Sequence, residues 1–236
     1  MKKTYQHVFF DLDHTIWDYE TNARYTLLEL YAKFELDQYG VSSGESFYGH
    51  FSKVNDELWS LFNVGKISKF ELRDSRFRTT FERCGAIIPL IPTDLLRIIG
   101  GVFMKECSKK SAIVPGARET LDALHKKYAL HIITNGFEET QSTKLESSEL
   151  AHYFDHLITS EQASAKKPFK EIFQYAMRQT GASVESSIMI GDNLHTDING
   201  ARDFGMDQVY FNPDRVKHNV PVTHEVEKLQ DLLAIL

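Results

Sequence analysis

Long apolar runs are missing from this 236-residue sequence: no segment approaches the ~20 uninterrupted apolar residues that a membrane-spanning helix needs. The opening MKKTYQHVFFDLD follows its short apolar stretch at once with carboxylates, too brief and too acidic a pattern for a secretory leader. Cysteine is scarce, with Cys84 and Cys107 alone, both among apolar neighbours. With no export signal, two reduced thiols are expected rather than a disulfide, and the cytoplasm is the expected location. Basic runs are absent too, and a net charge of -6 offers no footprint for nucleic acid. Neither an internal repeat nor a low-complexity linker is evident. What is present, 42% hydrophobic and 25% charged residues, fits a soluble globular chain able to bury a sizeable core. A local basic pocket for a phosphate remains compatible with that balance.

The periodicity divides the chain. Residues 7–10, HVFF, are a short apolar run with β-branched and aromatic members, which reads as a buried strand ending at Asp11. From there the spacing turns helical. Helices are predicted from Asp18 to Tyr39, Ser46 to Phe62, Ser68 to Arg83 and Thr93 to Cys107, and Ser68 stands three residues before Glu71, the spacing of a capping box. After Pro115 short apolar runs alternate with helices. Strands are predicted at Ala129–Ile133, His156–Thr159, Ser187–Ile190 and Gln208–Phe211. Helices are predicted around Leu121, around Lys144, at Phe169–Gln179, at Thr196–Asp203 and around Leu229. Alternation of this kind implies an α/β fold, a doubly wound parallel sheet in three layers. The expected division is a Rossmann-like core from 1–16 and 110–236, interrupted by an all-helical insertion at 17–109, most simply a cap domain.

In open α/β sheets ligands bind beyond the carboxyl ends of the strands. Three predicted strands end in polar clusters: Asp11-Leu12-Asp13-His14-Thr15, Thr134-Asn135-Gly136, and Gly191-Asp192 with Asp197 beyond it. Each Asp taken singly is an ordinary cap or loop residue. Four in one cleft would repel strongly unless a hard dication such as Mg²⁺ joined them. Lys167 precedes Pro168, which suits the first position of a helix, so its ammonium is expected at the ligand end of the sheet. Thr134 and Asn135 offer hydrogen bonds to a phosphoryl oxygen, and Gly136 allows a close turn.

These elements, in this order and at these separations, resemble the four motifs of the haloacid dehalogenase-like hydrolases, and the similarity spans residues 7 to about 212. A lone DxDxT is a weak signal; the ordered set is a strong one. The resemblance implies that Asp11 attacks phosphorus and becomes an aspartyl phosphate, while Asp13 serves as acid and then base. It implies that Asp11, the backbone carbonyl of Asp13 and Asp192 hold Mg²⁺. Asp197 would orient Lys167 or a metal-bound water, and Thr134, Asn135 and Lys167 would bind the phosphate. His14 stands where the family often has glycine; it is expected at the mouth of the site, facing substrate or gating it, or in a structural role. Ser164 and Lys166 also depart from the small residues common before the Lys-Pro pair.

The presence of Asp13 favours phosphoryl transfer over carbon–halogen cleavage. A phosphonatase would need a cap lysine, and none of Lys53, Lys66 and Lys69 stands out. An inserted cap implies small phosphorylated metabolites. The stretches Thr134-Asn135-Gly136-Phe137-Glu138 and Ile158-Thr159-Ser160-Glu161 look most like the pyrimidine 5'-nucleotidase branch, with a sugar-phosphate phosphatase or phosphoglucomutase-like enzyme as the alternative. Haloacid dehalogenation and a non-catalytic binding role are weaker alternatives. Tyr19, Phe47, Phe51, Trp59 and Phe62 could stack on a base, but aromatics at helical spacing are more often cap core. Arg73, Arg76 and Arg78 could steer an anion but read first as a solvated helix face. The sequence leaves monomer and homodimer equally open.

Overall fold

Each short apolar run of the sequence becomes a strand whose central residues are shielded on both faces. These strands are β1 (His7–Phe10), β2 (Ala129–Thr134), β3 (His156–Thr159), β4 (Ser187–Gly191) and β5 (Asp207–Phe211). The structure is a computed structural model describing residues 4–236, so the first residues of the expected core lie outside it. A sixth strand, β6 (His224–Val226), joins the edge through pairing with β5, and the sequence reading did not include it. All six pair in parallel in the order β3-β2-β1-β4-β5-β6. The order reverses between β1 and β4, the crevice where doubly wound sheets bind ligands. Phe10 is level with Ile132 and Ile190, so Asp11 and the Gly191-Asp192 pair leave the sheet side by side.

The chain forms two compact units, one from the stretch up to Asp18 with Ser111–Leu236 and one from Tyr19–Lys110. The second is built from α1 (Tyr19–Lys33), α2 (Gly44–Asn63), α3 (Lys69–Arg83) and α4 (Leu95–Cys107). The Ser68 hydroxyl accepts from the Glu71 N–H while the Glu71 carboxylate accepts from the Ser68 N–H, the predicted capping box. Phe47, Phe51, Phe77, Phe81 and Phe103 pack ring against ring as the core of this unit, so Phe47 and Phe51 are not available for stacking on a ligand. Arg76 corrects the expectation of a solvated face. It is 3% exposed, lies 5.1–5.7 Å from the rings of Phe51, Phe77 and Phe103, and donates to Asn55 Oδ1 at 3.2 Å.

Where the chain leaves and re-enters the first unit, the passages run side by side. Val114 N–H donates to the Ile16 carbonyl at 2.9 Å and Asp18 N–H to the Ala112 carbonyl at 3.1 Å. The helices of this unit are α5 (Ala117–Leu124), α6 (Glu138–Ser147), α7 (Lys170–Thr180), α8 (Gly200–Phe204) and α9 (Leu232–Ile235), and helices cover both faces of the sheet. Phe9, Ile133, Ile158 and Met189 pack with Ile172, Phe173 and Ala176 of α7 and Ala201 of α8. Helix α7 stops at Gly181 in the left-handed conformation (φ 68°). It starts two residues later than Pro168, which therefore is not its first residue as expected. The helix predicted from Thr196 instead opens as a π-helical turn, Leu194–Asn199, before α8. Among the described residues no helix is long and apolar enough to cross a membrane.

His131 sits in the middle of β2, its Nε2 3.1 Å from His7 Nδ1 and its ring flanked by His7, Phe9 and His156. Burial, with the neighbouring His7 and His156, pushes its pKa from 6.5 down to about 3. The folded chain therefore keeps this imidazole neutral, while the unfolded chain takes up a proton below the ordinary histidine value. Stability from this group is complete above pH 6.5 and lost as pH falls toward about 3. His131→Leu removes that slope. Urea midpoints of wild type and variant are expected to converge between about pH 7.5 and about pH 5; a difference constant with pH would contradict a neutral buried imidazole.

Candidate active site

At the reversal of strand order, three loops converge around one ammonium. Lys167 Nζ lies 2.6 Å from Asp11 Oδ1, 2.7 Å from Asp197 Oδ1 and 2.7 Å from the Ile133 carbonyl, which uses all three of its donors. Its side chain is 2% exposed, so it is not the solvated lysine its neighbour Lys166 might suggest. Burial opposes the charge, but Asp11 and Asp197 outweigh it and raise the pKa above the ordinary lysine value. Asn135 fixes the backbone that carries it: the amide Nδ2 donates to the Lys167 carbonyl at 2.9 Å and Oδ1 accepts from the Lys167 N–H at 2.8 Å. The Asn135 side chain thus also holds the Lys167 loop, which joins Pro168 through a cis peptide. Thr134 Oγ1 accepts from the Gly136 N–H at 2.9 Å, shaping the turn after β2.

Asp11 follows β1 directly, its N–H donating to the Ile190 carbonyl at 2.9 Å. Beside it, Asp192 Oδ1 accepts from the Thr15 hydroxyl at 2.9 Å, and the same hydroxyl accepts from the Asp192 N–H at 3.1 Å. Asp197 Oδ2 accepts from the Asn193 N–H at 3.1 Å, so both of its oxygens have protein partners. Asn193 also opens the π-helical turn, its Oδ1 accepting from the N–H groups of His195 and Thr196. Gly191 makes this closure feasible: a Cβ there would lie 2.2 Å from Asp197 Oδ2.

Oxygens of Asp11, Asp192 and Asp197 lie within 4.8 Å of one another. Burial raises the Asp11 pKa well above the ordinary carboxylate value; Lys167 opposes this, while Asp197 and Asp192 add to it. Burial likewise pushes Asp192 up to about 6, His14 opposing and Asp197 reinforcing. Three clustered carboxylates against one ammonium leave negative charge uncompensated. An all-oxygen donor set with that deficit fits a hard divalent cation, and Asp11 and Asp192 could hold one.

Asp13 stands apart from this cluster. Both of its oxygens accept from Lys144 Nζ of α6, at 2.6 and 2.8 Å, and that ammonium lies 4.6 Å from the centre of the Trp17 ring. Sequence reasoning missed Lys144 and Trp17; a lysine on a polar helix and an isolated tryptophan carry no signal of such a pairing. Thr15, read only as part of a motif, turns out to hold Asp192. His14 lines a cavity of about 250 Å³ with Asp18, Asp192, Tyr210, Asn212 and Asp214. His14 and Ser164, two of the three departures noted above, have φ of 65° and 51°, the left-handed region that glycine enters at least cost.

The chain matches the family model described as haloacid dehalogenase-like hydrolase over residues 8–211. It is 30% identical to pyrimidine 5'-nucleotidase PynA of Streptococcus pneumoniae, over 98% of this chain and 95% of that protein. It is also 30% identical to pyrimidine 5'-nucleotidase YjjG of Escherichia coli, over 94% and 96%. The structure of YfnB of Bacillus subtilis, solved bound to magnesium, superposes with a TM-score of 0.86 at 27% identity, covering 99% of both chains.

Replacing Lys167 by Met leaves Asp11 and Asp197 facing each other without a cation. Breaking a buried pair of this kind costs about 3–5 kcal/mol. Urea unfolding in metal-free buffer is expected to show a loss of that order, partly restored by Mg²⁺. An unchanged midpoint would contradict the three-way contact.

Proposed function

The chain belongs to the haloacid dehalogenase-like hydrolase family, and from that membership we propose that it is a Mg²⁺-dependent phosphatase of small metabolites. The observation that carries the proposal is Asp11 at the end of β1, hydrogen-bonded to Lys167 and adjacent to Asp192. A nucleophilic carboxylate divides a hard hydrolysis into two displacements. Asp11 attacks phosphorus, the ester oxygen leaves with a proton from Asp13, and water then cleaves the aspartyl phosphate with Asp13 as base. Asp11, the Asp13 backbone carbonyl and Asp192 would hold Mg²⁺, which when bound would offset charge on the transferring group.

Lys167 and Thr134 are proposed to contact the phosphoryl oxygens, and Asp197 to hold Lys167 in place. Asn135 contributes through the Lys167 backbone. The helical unit is proposed as a cap that selects the substrate, and His14 as a side chain at the mouth. A pyrimidine nucleoside 5'-monophosphate is the proposed substrate, supported by the names and near-full-length similarity of the two nucleotidases. The cytoplasm is the corresponding place of action.

The test is phosphate release with Mg²⁺ across nucleoside monophosphates, sugar phosphates and simple organic phosphates. Metal-dependent release with preference for pyrimidine 5'-monophosphates is expected. Preference for a sugar phosphate would reject the substrate while keeping the reaction, and no release from any ester would reject both. Asp11→Asn is expected to stay folded by circular dichroism and to lose turnover by at least about 10³-fold, a small part of the acceleration enzymes give phosphate esters. Turnover like wild type in that variant would remove Asp11 as the nucleophile.

A further inference from the structure

Lys144 takes no part in the reaction as described so far, yet its side chain is 8% exposed and its ammonium bonds both oxygens of Asp13, itself 22% exposed. Its seat is rigid. Trp17 is fully buried, its N–H donates to the Leu12 carbonyl at 2.8 Å, and its carbonyl accepts from His14 N–H at 2.9 Å. Residues 12–17 therefore close into a loop that sets Asp13 beside Trp17, and the ammonium rests on the indole face. On the other side the α6 backbone holds the lysine, its carbonyl accepting from the Ser148 N–H at 3.0 Å. A surface lysine on a polar helix would extend into water; this one is ordered at both ends.

We propose that Lys144 is a positioning residue that holds the Asp13 carboxylate for the water-activating half of the hydrolysis. The assignment rests on the phosphatase reading above. An ammonium only donates hydrogen bonds. With both Asp13 oxygens accepting from it, neither is placed to donate a proton to a leaving ester oxygen, so that first step requires one oxygen to leave Lys144. The second step does not. There an Asp13 oxygen accepts a proton from water as the water oxygen bonds to phosphorus. The bond from phosphorus to Asp11 breaks, its electron pair returns to the Asp11 carboxylate, and inorganic phosphate is released. Asp13 keeps the proton for the next ester. Removal of Lys144 therefore slows dephosphorylation more than phosphorylation.

The experiment compares full-length wild type, Lys144→Met and Lys144→Arg with Mg²⁺, using p-nitrophenyl phosphate and an alkyl monophosphate. Stopped-flow release of p-nitrophenol and acid-quenched phosphoprotein are read with steady-state kcat. In Lys144→Met, kcat is expected to fall at least about tenfold, within the 10²–10⁴ that a general acid–base group contributes. It should become equal for the two esters, with a burst near one product per site and phosphoprotein accumulating; Lys144→Arg should regain most of the rate. Unchanged kcat, or a loss without a burst that is larger for the alkyl ester, would overturn the proposal. If Lys144→Met does not fold, Lys144→Gln carries the same comparison. A wild type that releases phosphate from no ester overturns the phosphatase reading and this assignment with it, whereas an active wild type leaves only Lys144 at stake.

Discussion

Lys167 keeps a positive charge in a place where burial alone would remove it, because each of its three donors meets an oxygen. Those oxygens belong to the residue after β1, a carbonyl of β2 and the turn beyond β4, so one ammonium ties together the ends of three strands. Asn135 fixes the lysine from the backbone side, and Gly191 leaves room for the Asp197 carboxylate to reach it. The strand order explains why this junction exists at all. β2 and β4 lie on opposite sides of β1, so the ends of all three strands open onto the same crevice.

The two aspartates of the first motif are held by different cations. Asp11 faces Lys167 and the carboxylates that could bind a metal; Asp13 faces Lys144, over Trp17. In the proposed reaction the first must form and lose a bond to phosphorus while the second only moves protons. Separate partners let each carboxylate be oriented without disturbing the other. Burial raises the proton affinity of Asp11, and Lys167 opposes that rise, which favours the charged nucleophile.

Much of this was legible in the sequence because buried parallel strands are short continuous apolar runs. β1 to β5 and the four helices of the inserted unit follow from periodicity alone. β6 did not, since His-Glu-Val is three residues long and its place on the sheet edge depends on pairing with β5. Asp11, Asp192, Asp197 and Lys167 come together as the motif order implies, yet the side-chain partners were less readable. Asn135, expected to face a ligand, also grips a backbone 32 residues away. Arg76 looks like part of a charged face and instead lies inside a ring of phenylalanines. Lys144 meets Asp13 across 131 residues of chain, a pairing that no local pattern encodes.

The central claim is that Asp11 is the atom source for a covalent bond to phosphorus. Its most direct test is a crystal structure of the protein grown with Mg²⁺ and beryllium fluoride, a mimic of an acyl phosphate. The account requires beryllium bonded to a carboxylate oxygen of Asp11, with Lys167 against its fluorides. Beryllium fluoride bound through another residue, or density at Asp11 unchanged while the metal is present, would contradict it.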